Sequence, residues 1–326
     1  MSKNILIFSD ATAQEGGKGF NTNVYKLFNM AEDRTERQIA FYDVGLGANW
    51  QKITGAAGGM GISKNILQCY EFLMDNYMAG DQIFLFGFSR GATTVRSLSG
   101  FIHLFGILPK SRKDLIARAY NIYKISNIEK RERKAKEFIA KHHTMWVKIK
   151  FIGVWDTVAA LGVPFKAFNA LVNMIPFLKN DFHDLTLSPS IENAFHALAI
   201  DERRKTFLPT LWEPSLKKGQ TMEQVWFPGV HTDVGGGYKE SGLSDVALNW
   251  MVEKAKKYGL IIFPWHRVKV QVDVNGLMHD SREGAARMFR EKGRSWDLKK
   301  YGAPVLHESV GLRKDYRPWI LDVYKM

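Results

Sequence analysis

Cysteine is almost missing from this chain. Cys69 stands alone among 326 residues, so no internal disulfide forms, and neither a stapled secreted scaffold nor a paired-cysteine zinc site is available. It lies in an apolar helical pattern with Ile66, Leu67, Tyr70, Phe72 and Leu73, the setting of a packed thiol. A clean membrane span is missing too: the longest apolar stretch, 159–178, is broken by Lys166, Pro164, Pro176 and two asparagines. Zinc-finger spacing, an RNP-like aromatic strand and a helix-turn-helix pattern are all absent, which argues against nucleic acid as a partner. No repeat and no long linker divides the sequence, so we expect one domain over 1–326 with helical insertions at about 110–146 and 159–190. Met1-Ser2-Lys3-Asn4 runs straight into an apolar strand, leaving no room for a signal peptide. Synthesis in a reducing cytoplasm is the expectation.

What is present is an ordinary globular composition, 45% hydrophobic and 24% charged, with a net charge of +13. The basic residues crowd 112–150, above all Lys130-Arg-Glu-Arg-Lys-Ala-Lys136. Such a segment is either a solvated helical face, with Glu129, Glu132 and Glu137 interleaved, or a surface for polyanions such as an anionic bilayer.

The organising stretch is 81–92. Asp81 leads into Ile83-Phe84-Leu85-Phe86, a buried-strand pattern, which stops at Gly87-Phe88-Ser89-Arg90-Gly91 before a helical run. A serine between two glycines at a strand-to-helix turn is the context of a nucleophile elbow. The helix beyond it offers N–H groups and a positive dipole end to a developing oxyanion.

Around it, strands alternate with helices. Residues 4–8, 38–42, 147–155 and 224–230 read as strands, 194–200 as a strand or helix end, and 268–274 as a further strand; 63–78 and 243–258 read as helices. This alternation predicts an α/β fold, a mostly parallel central sheet covered on both faces. Asp10, Ser89, Asp156, Asp201 and His231 each follow a strand, and the carboxyl ends of parallel strands are where such folds assemble sites.

A serine hydroxyl needs a base, usually histidine oriented by a carboxylate, and here the chain order is Ser, acid, His. Of nine histidines, His231 sits among small residues in Phe227-Pro-Gly-Val-His-Thr-Asp-Val-Gly-Gly-Gly237, with His307 in reserve. His103 and His196 are surrounded by apolar residues. The acid is Asp156, ending an unambiguous core strand, or Asp201, ending a weaker one; Asp233 is too close to His231 and reads as a loop-shaping group. The oxyanion donors would be the N–H groups of Arg90 and Ala11. Asp10 could instead ligate a cation, but no second carboxylate lies nearby in sequence, so a metal site is the lesser alternative and no cofactor is expected. The stretch 159–178 suits a lid that meets acyl chains or, equally, a buried helix.

Together, Gly87-Phe-Ser-Arg-Gly-Ala92, Gly153-Val-Trp-Asp-Thr-Val158, Ala199-Ile-Asp-Glu-Arg-Arg204 and Trp226-Phe-Pro-Gly-Val-His-Thr-Asp-Val-Gly-Gly-Gly-Tyr238 resemble an α/β-hydrolase-like family. It is the family of the catalytic domain of type VI secretion phospholipase effectors, the first Tle class, with many bacterial and fungal members. The resemblance runs from residue 4 to about 260. It implies a lipase or esterase with Ser89, Asp156 and His231 as its triad, acting on a lipid or small ester. Members usually carry Phe-Asp-Gly-Thr after the first strand; this chain has Phe8-Ser-Asp-Ala-Thr12, and alanine narrows the backbone freedom at the second oxyanion donor. Export by a signal-independent secretion system would follow if the effector role carried over, but the long membrane-targeting additions of some effectors are absent. The rival expectation is a catalytically silent scaffold that binds a partner or an anionic surface through its basic helix.

Overall fold

A computed structural model describes residues 2–11, 16–17, 19–31, 33–45, 57–158 and 186–325. The stretch 159–178, and with it most of the insertion expected at 159–190, lies outside them, as does Thr12.

Eight strands among the described residues form one sheet in the order β2-β3-β1-β4-β5-β6-β7-β8. They are β1 Asn4–Ser9, β2 Arg34–Thr35, β3 Gln38–Asp43, β4 Gln82–Phe88, β5 Ile149–Trp155, β6 Asn193–Ala199, β7 Thr221–Phe227 and β8 Val305–Leu306. All neighbours are parallel except β2 and β3. The ambiguous 194–200 segment is thus a strand, and every residue of β6 is buried.

Side chains alternate across the strands and sort into two cores. Ile5, Ile7, Ile83 and Leu85 pack under α2 (Ala57–Asn76), α3 (Arg90–Phe105), α4 (Asp114–Tyr123) and α5 (Ile128–His142). Leu6, Phe8, Phe84, Phe86, Phe151 and Phe195 face α1 (Asn23–Met30) and the long helix Gly242–Lys257. On that second face Phe8, Phe86, Phe151 and Phe195 stack from strand to strand at centroid distances of 5.0, 5.5 and 5.1 Å. Such aromatic pairs add to the area they bury. The sheet is therefore covered on both sides, as alternation predicts.

Thr22 is the N-cap of α1, its hydroxyl accepting from the Tyr25 N–H. The basic segment is helical, and in α5 only Ala135 and Phe138 are buried, so its charges face solvent. One expected element does not form. Residues 268–274 make no strand, because their backbone bonds go elsewhere: the Gln271 N–H donates to the Asp245 carboxylate and the Asp273 N–H to the Gly242 carbonyl. Val268, Val270 and Val274 still pack on the core, which is what their periodicity reported.

Candidate active site

Ser89 lies between β4 and α3, as the N-cap of α3, with φ 56° and ψ −115°, a conformation costly to any residue with a side chain. The flanking glycines make the turn feasible. A Cβ on Gly87 would come within 2.6 Å of the Gly91 carbonyl, and one on Gly91 within 2.0 Å of the Ser9 carbonyl oxygen. The elbow thus rides directly on the loop after β1. The obstructing atoms are backbone and cannot rotate away, so Gly91→Ala is expected to cost about 3 kcal/mol in a denaturant titration. It should also displace the β1 loop, lowering turnover of any ester the protein hydrolyses.

His231 arrives from β7 through Pro228-Gly229-Val230 and opens the short helix α6, His231–Gly235. Gly229, at φ 108°, lets the chain turn there, and a Cβ on Gly235 would sit 2.0 Å from the Phe88 ring. Small residues therefore bring α6 against the end of β4. The imidazole is flanked by Phe88 at 4.6 Å and Phe207 at 5.0 Å between centroids and is 4% exposed. Its Nδ1 donates to Asp156 Oδ2 at 2.5 Å, which leaves Nε2 to accept from Ser89 Oγ at 2.9 Å.

Asp156, one residue past β5, has φ 39° and is fully buried. Every acceptor site on its carboxylate is used. Oδ1 takes the Ala199 N–H at 3.0 Å and Arg294 Nη1 at 2.5 Å; Oδ2 takes His231 Nδ1 and Arg294 Nη2 at 2.7 Å. Burial alone would push this carboxyl up, but the Arg294 guanidinium and then His231 reverse that and hold it well below the usual carboxylate range. Arg294 also donates to the Ala199 and Phe207 carbonyls and is 5% exposed.

The structure thus brings Ser89, His231 and Asp156 together as a serine hydrolase triad suited to ester substrates. The other acid is spoken for. Asp201 accepts from the Gly229 N–H at 2.6 Å and the Tyr316 hydroxyl at 2.7 Å, fixing the turn that delivers His231. Asp233 pairs with His279 at 2.6 Å and accepts from the Val230 N–H, a loop-shaping role. His307 stacks on Phe227 and bonds Ser309. His196 is buried, accepts the Thr157 N–H at Nε2, and is pushed by burial down to about 3.

The first N–H of α3 belongs to Arg90, directly after the nucleophile. In the loop after β1, the Ala11 N–H donates to Asp10 Oδ1 at 2.7 Å, while Thr22 and Tyr42 donate to Asp10 Oδ2 at 2.7 and 2.6 Å. Burial, opposed by those three bonds, pushes the Asp10 carboxyl up to about 6. Because the folded value lies above the unfolded one, the unfolded chain releases this proton first as pH rises. The folded state accordingly loses stability between about pH 4 and pH 6, by about 3 kcal/mol in all. Comparing wild type with Asp10→Asn in urea titrations from pH 4 to 7 should show that difference, and a constant gap between them would refute it.

Arg294 was not visible as a site residue in the sequence. It sits in a charged, turn-rich tail, 138 residues from its partner, with no motif around it.

The family model described as "T6SS, Phospholipase effector Tle1-like, catalytic domain" matches residues 3–254. "Uncharacterized protein YEL023C" of Saccharomyces cerevisiae is 27% identical over 238 residues, 65% of this chain and 33% of that protein. The chain therefore spans about a third of the length of that curated relative. Among solved structures, an uncharacterized protein from Pseudomonas aeruginosa is similar over 83% of this chain and 49% of its own, with a TM-score of 0.50 and 15% identity. The Tle1 effector bound to the VgrG spike of the type 6 secretion system is similar over 73% of this chain and 52% of its own, with a TM-score of 0.42 and 20% identity.

Proposed function

The chain belongs to the Tle1-like phospholipase effector catalytic-domain family, and we propose that its serine hydrolase site cleaves carboxylic esters of lipids through an acyl-enzyme. The observation that carries this is the unbroken relay from Ser89 Oγ through His231 to the buried Asp156 carboxylate. Ser89 attacks the ester carbonyl while His231 Nε2 takes its proton. Asp156 holds the imidazole in that tautomer and balances the imidazolium. The proton then passes to the leaving alcohol, and water admitted to the same base releases the acid.

The tetrahedral oxygen is assigned to the N–H groups of Arg90 and Ala11. The second donor must share its hydrogen with Asp10, or turn from it, as the substrate settles. Support for a lipid ester is the family's description and the apolar 159–178 stretch, which follows the catalytic acid closely in sequence. The exposed basic face of α5 would favour an anionic bilayer.

A fluorophosphonate probe should label the wild type and not Ser89→Ala. Anionic liposomes assayed beside a water-soluble short-chain ester should then show preference for the lipid. Turnover of the short ester alone would keep the hydrolase and remove the lipid specificity, and an unlabelled folded protein would favour the silent scaffold.

A further inference from the structure

A cavity of about 640 Å³ opens between α3, α5, residues 186–189 and residues 212–217. Among the described residues, Arg96, Arg131, Lys136 and Lys217 line it together with the acid Glu132. Arg96 is the telling residue. It sits on α3 seven positions after Ser89, its Nη1 donates to the Thr210 carbonyl at 2.5 Å, and its guanidinium lies 4.5 Å from the Trp212 ring centroid. No carboxylate balances it among the described residues, and burial pulls its pKa down to about 9 with no acid acting the other way. A partly buried guanidinium with no counter-charge among the described residues is costly unless something supplies one. Its fork of N–H donors suits an oxyanion such as phosphate. Leu104, Tyr123 and Trp212 give the same cavity an apolar wall beside the charges.

We propose that this cavity is an anion site for a phosphate group, with Arg96 as its central contact and Lys136 and Lys217 at its rim. It is not lined by Ser89, His231 or Asp156, so it is a different cavity from the one that would hold the scissile ester. The ligand class could reach the protein as free phosphate or as the headgroup of a lipid, and the apolar wall would read the difference.

Calorimetry with inorganic phosphate and with octyl phosphate, which holds no carboxylic ester for Ser89 to attack, separates these sources. Both should bind the wild type. Tighter binding of octyl phosphate, by about tenfold or more, would identify a lipid headgroup; equal affinity would identify free phosphate. Arg96→Met should weaken either ligand by about tenfold or more. Should that variant fail to fold, Lys136→Glu with Lys217→Glu, both at exposed positions, should weaken binding while fluorophosphonate labelling of Ser89 persists. Absence of binding by both probes overturns the proposal, and so does binding that neither set of substitutions weakens.

Discussion

Ser89→Ala is expected to lower ester turnover by about a million-fold and to leave the unfolding midpoint nearly unchanged. The hydroxyl contributes one hydrogen bond, to His231, while the turn is set by Gly87 and Gly91 against backbone. Removing Oγ therefore takes away the nucleophile without touching what positions it. His231→Ala should cost about as much, and the double variant hardly more, because the two act as one unit. His307→Ala supplies the control: its ring is committed to Phe227 and Ser309, so turnover should match wild type. Steady-state assays on one soluble ester decide the matter. A Ser89→Ala protein that retains even a hundredth of wild-type turnover would mean that the chemistry lies elsewhere.

The parts of this site that could be read from the sequence are those whose cause is local. A strand, a serine between glycines and a helix occupy consecutive residues, so the pattern at 81–92 carries its own geometry. His231 stood out because the glycines around it signal close backbone approach, and Gly235 does abut Phe88. The choice between Asp156 and Asp201 was beyond local reasoning, since both follow buried strands. What separates them is a left-handed φ at Asp156, which directs its carboxylate to His231, and the capture of Asp201 by Gly229 and Tyr316. The valines of 268–274 misled for a related reason. Alternation reports which side chains are buried, whereas a strand also needs a neighbouring ladder, and Asp245 and Gly242 take those bonds instead. Long-range partners leave the weakest trace. The family match ends at residue 254, yet Arg294, His279 and Tyr316 in the following segment fix Asp156, Asp233 and Asp201.

That dependence makes Arg294 the sharpest structural test. Removing one partner of a buried ion pair strands the other, so Arg294→Ala should destabilise the protein by about 3–5 kcal/mol at neutral pH. The pH dependence should also change sign. In the wild type the Asp156 carboxyl is held below its unfolded value, so its contribution is present above about pH 4 and is lost as pH falls through the folded value. Without the guanidinium, burial dominates and raises the carboxyl, so the Asp156 contribution should decline as pH rises from about 4 toward neutrality. Activity should follow the same carboxyl. A protonated Asp156 cannot balance the imidazolium at His231, and the acid limb of the kcat profile should move to higher pH in the variant. Arg294→Lys keeps the charge but not the two-pronged contact, so it should restore part of the stability and most of the pH profile. Urea titrations at several pH values, run beside kcat profiles, distinguish this from simple loss of packing, which would lower stability equally at every pH and leave the acid limb where it was.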